Sequence, residues 1–232
     1  GMHWGDGETF LNKTAFQNLR DEWGVNMVRL VSYVTQGGYT QGSKDKLDKH
    51  IQKGVSNLTE LGMYAIIDWH VHAENPNDKK SEAIQFFDTY SKKYKDQSNI
   101  IYEICNEPTG TPWNQIRPYA VDVVNTIRAN DPDAIIVAVD AAVGRWDHVG
   151  LVTLEKGPLR PGLGVRKELT AVGDISITGI VGGAESGDPL FLQSIRLSQV
   201  MRLADCISRS ICLGLRIIGR RVENFSGQTV PF

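Results

Sequence analysis

The stretch Ile100-Ile-Tyr-Glu-Ile-Cys-Asn-Glu-Pro108 decides how the rest of this chain is interpreted. Most of its first six residues favour a β-strand, and the run stops at Asn106, Glu107 and Pro108. Pro108 has no amide hydrogen and cannot extend a ladder of strand hydrogen bonds, so the strand is expected to end at the acid. In barrels of alternating strands and helices, the carboxyl ends of the strands carry the chemistry. The sequence therefore predicts that Asn106 and Glu107 lie in a functional site.

Similar strand-like runs recur at a regular interval along the first part of the chain. They begin at residues 25, 63, 100 and 134, which are 38, 37 and 34 residues apart. Between them, apolar residues are spaced by three and four, as on one face of a helix. This interval predicts βα units that build a parallel sheet. An open, doubly wound sheet would give a similar interval, but no glycine-rich phosphate loop follows any of the strands.

The helices between these strands have recognisable ends. Phe16 and Trp23 fall on one apolar face of the first helix, and Gly24 is predicted to end it, because glycine is favoured just past a helix. Ser43 and Ser81 are predicted to cap the starts of the next two helices. These boundaries place one helix between each pair of strands.

The overall composition is that of a soluble globular protein. The chain has 232 residues, of which 41% are hydrophobic and 22% charged, with a formal net charge of −2. This balance predicts neither a nucleic-acid partner nor a membrane partner. No apolar run approaches membrane-spanning length, and no basic-then-apolar signal segment is recognisable. The three cysteines, Cys105, Cys206 and Cys212, do not show a metal-binding spacing. We expect no cofactor.

Polar residues interrupt or end three consecutive predicted strands. Arg29 lies within the first strand, Asp68 and His70 end the second, and Asn106 and Glu107 end the third. Each has a structural explanation when taken alone: a buried arginine can pair with a carboxylate, a histidine can sit in a core, and an acid can complement a helix start. Their convergence at one end of a parallel sheet favours an active site.

Four segments of the first 137 residues together resemble one known family. They are Leu19–Leu30, Gly37–Tyr39, Ala65–His70 and Ile101–Pro108. In this order and strand context they resemble the retaining glycoside hydrolases of family 5, a cellulase-rich family of (β/α)8 barrels with two catalytic glutamates. The resemblance implies an α/β fold of the (β/α)8 TIM-barrel type, with residues 1–137 as its N-terminal part and a truncated or incomplete second half.

The resemblance also implies roles for individual residues. Glu107 matches the general acid/base, and Asn106 matches the residue that binds the sugar hydroxyl next to the reacting carbon. Arg29 matches the arginine that holds the nucleophile carboxylate, while His70 and Tyr33 match residues that line the subsite of the cleaved sugar. Retaining cleavage needs two carboxyl groups about 5–5.5 Å apart and no metal.

The function implied by the resemblance is that of a retaining endo-β-1,4-glucanase, a secreted enzyme that hydrolyses β-glucan. Two alternatives stay open. The chain could be a catalytically inactive, glycan-binding barrel fragment, or a metal-dependent barrel hydrolase, because His70 and His72 form a His-x-His pair at a strand end. An incomplete barrel exposes strand edges and apolar helix faces, so self-association is also expected.

Residues 138–232 form a tail that does not match the family. Residues 1–137 contain ten lysines and four arginines, whereas the tail contains two lysines and nine arginines, and all seven tyrosines precede residue 120. The strand that should carry the nucleophile, ending in Glu-Trp-Gly or Glu-Tyr-Gly, is not recognisable. Either the tail is a divergent second half, with Glu185 as the nucleophile candidate, or it is out-of-frame sequence.

The out-of-frame hypothesis makes a prediction about the encoding DNA. Translation of the two other reading frames beyond codon 137 is expected to yield a strand-like run that ends in Glu-Trp-Gly or Glu-Tyr-Gly. The absence of such a segment from both frames would contradict the hypothesis and would favour a divergent second half.

Overall fold

The computed structural model describes residues 7–160, 171–183, 195–196, 198–207 and 210. The chain divides into two compact units, a first unit, Gly1–Ala134, and a second unit, Ile135–Phe232. Glu185 lies outside the described residues.

The first unit is built from βα units around a parallel sheet. In chain order its elements are α1 (Gly7–Phe10), α2 (Lys13–Trp23), β1 (Met27–Tyr33), α3 (Lys44–Glu60), β2 (Tyr64–His70), α4 (Lys80–Tyr94), β3 (Ile100–Glu103) and α5 (Trp113–Asn130). The three strands are parallel and lie in the order β1-β2-β3. The predicted alternation of strands and helices is therefore confirmed for this unit.

The ends of α2 follow from its flanking residues. The side chain of Asn12 accepts a hydrogen bond from the backbone N–H of Ala15 at 2.9 Å, which satisfies an otherwise unpaired donor in the first turn. Gly24 ends the helix in the left-handed conformation, with φ of 65°. Phe16 is buried as predicted, but the prediction for Trp23 is wrong, because 79% of its surface is exposed. Helical spacing predicts the face of the helix on which a residue lies. It does not predict whether the sheet extends far enough to cover that residue.

The two predicted serine caps do not act as caps. Ser43 directly precedes α3, but its hydroxyl donates to the carbonyl oxygen of Gly37 at 2.6 Å instead of accepting from the helix. Ser81 lies inside α4, which continues from a short helical turn at Pro76–Lys79. Asn75 caps that turn, accepting from a backbone N–H at 3.0 Å. The helical path therefore starts earlier than the serine pattern suggested.

The pleat of the sheet separates an apolar face from a polar one. Leu30 and Trp69 point toward the helices, where Trp69 packs against Phe86 of α4 with 4.9 Å between ring centroids. Neighbouring residues along a strand point to opposite faces. Arg29 and Asp68 therefore lie on the other face, which we call the inner face. Apolar burial against the helices holds the sheet together, while the inner face carries ionisable groups.

The second unit contains a separate three-stranded sheet. Its strands are β4 (Val137–Gly144), β5 (Val152–Lys156) and β6 (Ile175–Gly183), in the order β4-β6-β5, and residues 198–207 are helical. β4 is parallel to β6, and β5 is antiparallel to it. Several large apolar side chains of this unit are exposed, among them Val139, Trp146 and Leu154. Throughout the described ranges, no helix combines the length and the apolar character needed to cross a membrane.

Asp48 of α3 ties together three elements of the first unit. One of its oxygens accepts hydrogen bonds from the hydroxyls of Tyr39, at 3.0 Å, and Tyr90, at 2.5 Å. Its other oxygen forms an ion pair with Lys44. Both tyrosines are buried, so their hydroxyls depend on this carboxylate for a partner.

We expect Asp48→Ala to lower the free energy of unfolding by about 3 kcal/mol, because it leaves two buried donors unpaired. Urea unfolding followed by circular dichroism measures this change. Asp45→Ala on the exposed side of the same helix is the matched control, with an expected loss below about 1 kcal/mol. Equal losses in the two variants would show that Asp48 does not hold these elements together.

Candidate active site

Arg29 of β1 is the centre of a polar network on the inner face. Its Nε donates to Oε2 of Glu103 at 2.7 Å and lies 3.1 Å from Oδ2 of Asp68. Its Nη2 donates to Oε1 of Glu103 and, at 2.6 Å, to Oδ1 of Asn106. One guanidinium therefore contacts side chains that β2, β3 and the segment after β3 provide.

Arg29 determines the orientation of the Asn106 amide. A guanidinium can only donate hydrogen bonds, so the amide oxygen of Asn106 must face it. The amide nitrogen consequently donates to the backbone carbonyl of Val71 at 3.1 Å and lies 3.4 Å from Nε2 of His70. The positions of the amide oxygen and the amide nitrogen of Asn106 are thus both assigned from their hydrogen-bond partners.

The same chain of donors and acceptors sets the protonation of His70. Because the Asn106 nitrogen is a donor, Nε2 of His70 must be the acceptor, and the ring proton is on Nδ1. Nδ1 donates to Oδ2 of Asp68 at 2.7 Å. Burial, and then the positive charge of Arg29, lower the pKa of His70 to about 4, so the ring is neutral at ordinary pH. Tyr33 packs edge-on against this ring, with 4.4 Å between centroids.

Asp68 is the buried end of the network. Burial, and then the carboxylate of Glu103, raise the pKa of Asp68 to about 8, whereas Arg29 lowers it. Oδ2 accepts from Nδ1 of His70 and lies 3.1 Å from Nε of Arg29, so a proton bound by Asp68 would sit on Oδ1. Oδ1 has no hydrogen-bond partner among the residues that the structure describes.

Glu107 lies at the rim of this network with its side chain in solvent. Its backbone pairs with the segment after β2: its N–H donates to Val71 at 3.1 Å, and its carbonyl accepts from Ala73 at 2.9 Å. The side chain is 63% exposed, and Oε2 lies 3.5 Å from Nδ1 of His72. The pairing of the two segments therefore presents the Glu107 carboxyl outward.

The loop that faces Glu107 is held in an unusual conformation. Ala73 has a φ of 71°, a left-handed value that is uncommon for residues other than glycine. Glu74 anchors this loop, accepting from the backbone N–H of His72 at 2.8 Å and from the hydroxyl of Thr35 at 2.9 Å. Such conformations persist where surrounding contacts enforce them, often at functional sites.

The structure brings four of the five predicted site residues into direct contact. Arg29, Asn106, His70 and Tyr33 form one continuous chain of contacts. Glu107 adjoins this chain through Asn106 in sequence, and its side chain points into the open. Glu185 lies outside the described residues.

Two network members were not among the predicted site residues. Asp68 was recognised only as an acid at a strand end, and Glu103 was overlooked. A signal for Glu103 exists in the sequence, because it is an acid in an apolar run. Its pairing with Arg29 depends on strand register, which places Asp68 beside Glu103.

The arrangement of these residues does not favour a metal site. Among the described residues, no group of three or more His, Cys, Asp or Glu side chains is arranged to hold a metal ion. His70 has its Nδ1 on Asp68, and its Nε2 faces Asn106.

We expect His70 to remain neutral, with its proton on Nδ1, as the pH falls from 7 to about 5. Nitrogen-15 NMR of the imidazole measures both the tautomer and the midpoint, and His70→Gln identifies the signals. The unfolded ring should titrate at about 6.5, so the unfolded chain binds the extra proton first. The contribution of His70 to stability is therefore present above that pH and is lost as the pH falls toward about 4. A midpoint at or above 6.5 would contradict this assignment.

Comparison with protein-family models identifies two matches. The model described as Cellulase (glycosyl hydrolase family 5) matches residues 1–151. A model described as a protein of unknown function (DUF1256) matches residues 119–210.

Curated relatives match over the same N-terminal region. An endoglucanase from Clostridium saccharobutylicum is 44% identical over 140 residues, which cover 59% of this chain and 31% of that protein. Endoglucanase N from Pectobacterium atrosepticum is 41% identical over 152 residues, which cover 64% of this chain and 32% of that protein. The chain thus spans about a third of the length of the curated relatives it matches.

Solved structures agree with this result. The cellulase Cel5C_n is similar with a TM-score of 0.53 and 37% identity, over 56% of this chain and 43% of that chain. The catalytic domain of the Thermobifida fusca endoglucanase Cel5A has the same TM-score and coverage, with 30% identity. Because the family model covers well over half of the 232 residues, the chain belongs to glycosyl hydrolase family 5, and its first unit is part of a (β/α)8 barrel of that family.

Proposed function

We propose that residues 1–137 are the N-terminal part of the catalytic barrel of a retaining endo-β-1,4-glucanase. The observation that carries the proposal is the position of Asn106 and Glu107 after β3, beside the Arg29 network, in a family 5 chain. The matched relatives are endoglucanases by name. A variant of the Thermobifida enzyme, 30% identical with a TM-score of 0.52, is in complex with cellotetraose.

Glu107 is the proposed general acid/base. In the first step its carboxyl donates a proton to the glycosidic oxygen while a second carboxylate attacks the anomeric carbon and the glycosidic bond breaks. In the second step the Glu107 carboxylate takes a proton from water, whose oxygen displaces the enzyme carboxylate from the sugar. The 63% exposure of the side chain leaves it accessible to a polymer.

Asn106, His70 and Tyr33 are the proposed walls of the subsite for the cleaved sugar. The Asn106 nitrogen has two hydrogens, of which one is used by the carbonyl of Val71 at 3.1 Å. The other points toward Nε2 of His70 across 3.4 Å, a long and weak contact that a sugar hydroxyl can replace. The site therefore offers a neutral donor to a hydroxyl group.

The nucleophile remains part of the proposal. Glu185 is the nucleophile candidate if residues 138–232 are a divergent second half of the barrel. The alternative is that residues 138–232 are out-of-frame sequence. β4 belongs to the matched residues 1–151 but pairs with β6, which lies outside them. Because β4 pairs with a strand outside the matched region, we favour a tail that does not continue the barrel of the family.

A catalytically inactive glycan-binding fragment is the second candidate function. Among the described residues, the contacts that hold Arg29, His70 and Asn106 come from the first unit, so we infer that sugar binding at this site does not need a second carboxylate. Measurable affinity for cellotetraose without turnover would identify this function. The metal-dependent alternative would have to displace Asp68 or Asn106 from His70.

The localisation and the binding partners of the protein are also predictions. Secretion and a polysaccharide substrate follow from the family, and binding to a nucleic acid or a membrane is not expected. Self-association is expected of an incomplete barrel.

Hydrolysis of soluble carboxymethylcellulose by the purified 232-residue chain tests the proposal. We expect Glu107→Gln to lower the rate by about 10²–10⁴-fold, the usual contribution of a general acid/base. Glu60→Gln is the matched control, because this exposed glutamate pairs only with Lys13 among its described ion pairs and should leave the rate unchanged. Glu185→Gln tests the nucleophile candidate.

The outcomes separate the candidate functions. Full activity in Glu107→Gln would overturn the assignment of the acid/base. Loss of activity in both Glu107→Gln and Glu185→Gln would show that residues 138–232 are a divergent second half of the barrel with Glu185 as its nucleophile. An inactive parent chain that binds cellotetraose would establish the glycan-binding alternative.

A further inference from the structure

We propose that Glu103 is a positioning residue of this site, which holds Arg29 and through it orients the amide of Asn106 toward the substrate. The contacts themselves do not depend on any substrate. Their consequence for sugar binding rests on the proposed function, in which Asn106 meets a sugar hydroxyl.

Glu103 engages Arg29 through both of its carboxylate oxygens. Oε2 accepts from Nε at 2.7 Å, and Oε1 accepts from Nη2. This two-pronged geometry fixes the plane of the guanidinium and not only its distance. The side chain of Arg29 is 27% exposed and that of Glu103 31%, so the pair is partly shielded from solvent.

Glu103 holds the part of Arg29 that matters for Asn106. Asp68 also approaches the guanidinium, with its Oδ2 3.1 Å from Nε, but this oxygen accepts its hydrogen bond from His70. Among the contacts of the described residues, the carboxylate on Nη2 is that of Glu103. Nη2 is also the nitrogen that donates to Oδ1 of Asn106, at 2.6 Å. Glu103 therefore controls the donor on which the Asn106 oxygen depends.

Two anchors fix the Asn106 amide. Its nitrogen is held by the carbonyl of Val71, and its oxygen is held by Arg29. One hydrogen bond would leave the planar amide free to pivot, whereas two fix its plane and its direction. If Glu103 releases Arg29, the amide loses its oxygen anchor, and the hydrogen aimed at His70 loses its direction.

Glu103→Gln is the sharpest change to test this role. The side chain keeps its size, but only one of its terminal atoms can accept from Arg29, because the other becomes a donor. The matched control is Glu60→Gln, the same chemical change in the exposed Lys13 pair. Glu103→Asp provides a second variant, which keeps the charge but withdraws the carboxylate by one methylene.

NMR of the nitrogen-15-labelled 232-residue chain is the first readout. Asn106→Ser identifies the side-chain amide signals of Asn106 by their loss. We expect Glu103→Gln to shift both amide proton signals of Asn106 and to move the Nε2 signal of His70, while the control leaves them in place. Glu103→Asp should move them less. Unmoved Asn106 signals in folded Glu103→Gln would overturn the proposal, and if that variant does not fold, unmoved signals in Glu103→Asp would do the same.

Titration with cellotetraose is the second readout. It tests the effect of Glu103 on sugar binding separately from its effect on Asn106. If the unmodified chain binds this sugar, we expect about tenfold weaker binding for Glu103→Gln, the loss of roughly one hydrogen bond. Unchanged affinity alongside shifted Asn106 signals would overturn the link to substrate. A chain that binds no cellotetraose would count against the proposed function, while the Asn106 signals would still decide the role of Glu103.

Discussion

The inability of Arg29 to accept a hydrogen bond is the constraint on which the site depends. Its donors force the oxygen of Asn106 toward the guanidinium, and the amide nitrogen then forces Nε2 of His70 to be an acceptor. The imidazole proton consequently lies between His70 and Asp68. Four side chains thus share one direction of donation, so the Nδ1 tautomer of His70 and the orientation of the Asn106 amide have a common cause.

The site combines a buried half with an exposed one. Asp68 is fully buried and His70 nearly so, and the two anchor the inner ends of the network. Glu107 follows Asn106 directly, but its side chain projects into solvent, while its backbone pairs with the segment after β2. This division suits a reaction in which a sugar is held by fixed donors while a carboxyl exchanges protons with a leaving group and with water.

The family match extends past the boundary between the two units. Residues 1–151 match the family, yet β4 near the end of this region forms a sheet with β6. In a barrel, a strand that follows β3 would be expected beside it, because consecutive strands of such folds are neighbours. Among the described residues, β3 is instead the last strand of the first unit's sheet, and β4 belongs to a separate three-stranded sheet.

The sequence by itself determined the alternation of strands and helices, the end of α2 at Gly24 and the placement of Asn106 and Glu107 after a strand. These features arise from local periodicity and from the backbone limits of glycine and proline. The tertiary structure decided that Trp23 is exposed, that Ser81 lies within a helix, and that Glu103 pairs with Arg29 across 74 residues. The reason is that exposure and pairing depend on strand register and on which surfaces come together, and neither is a local property of the chain.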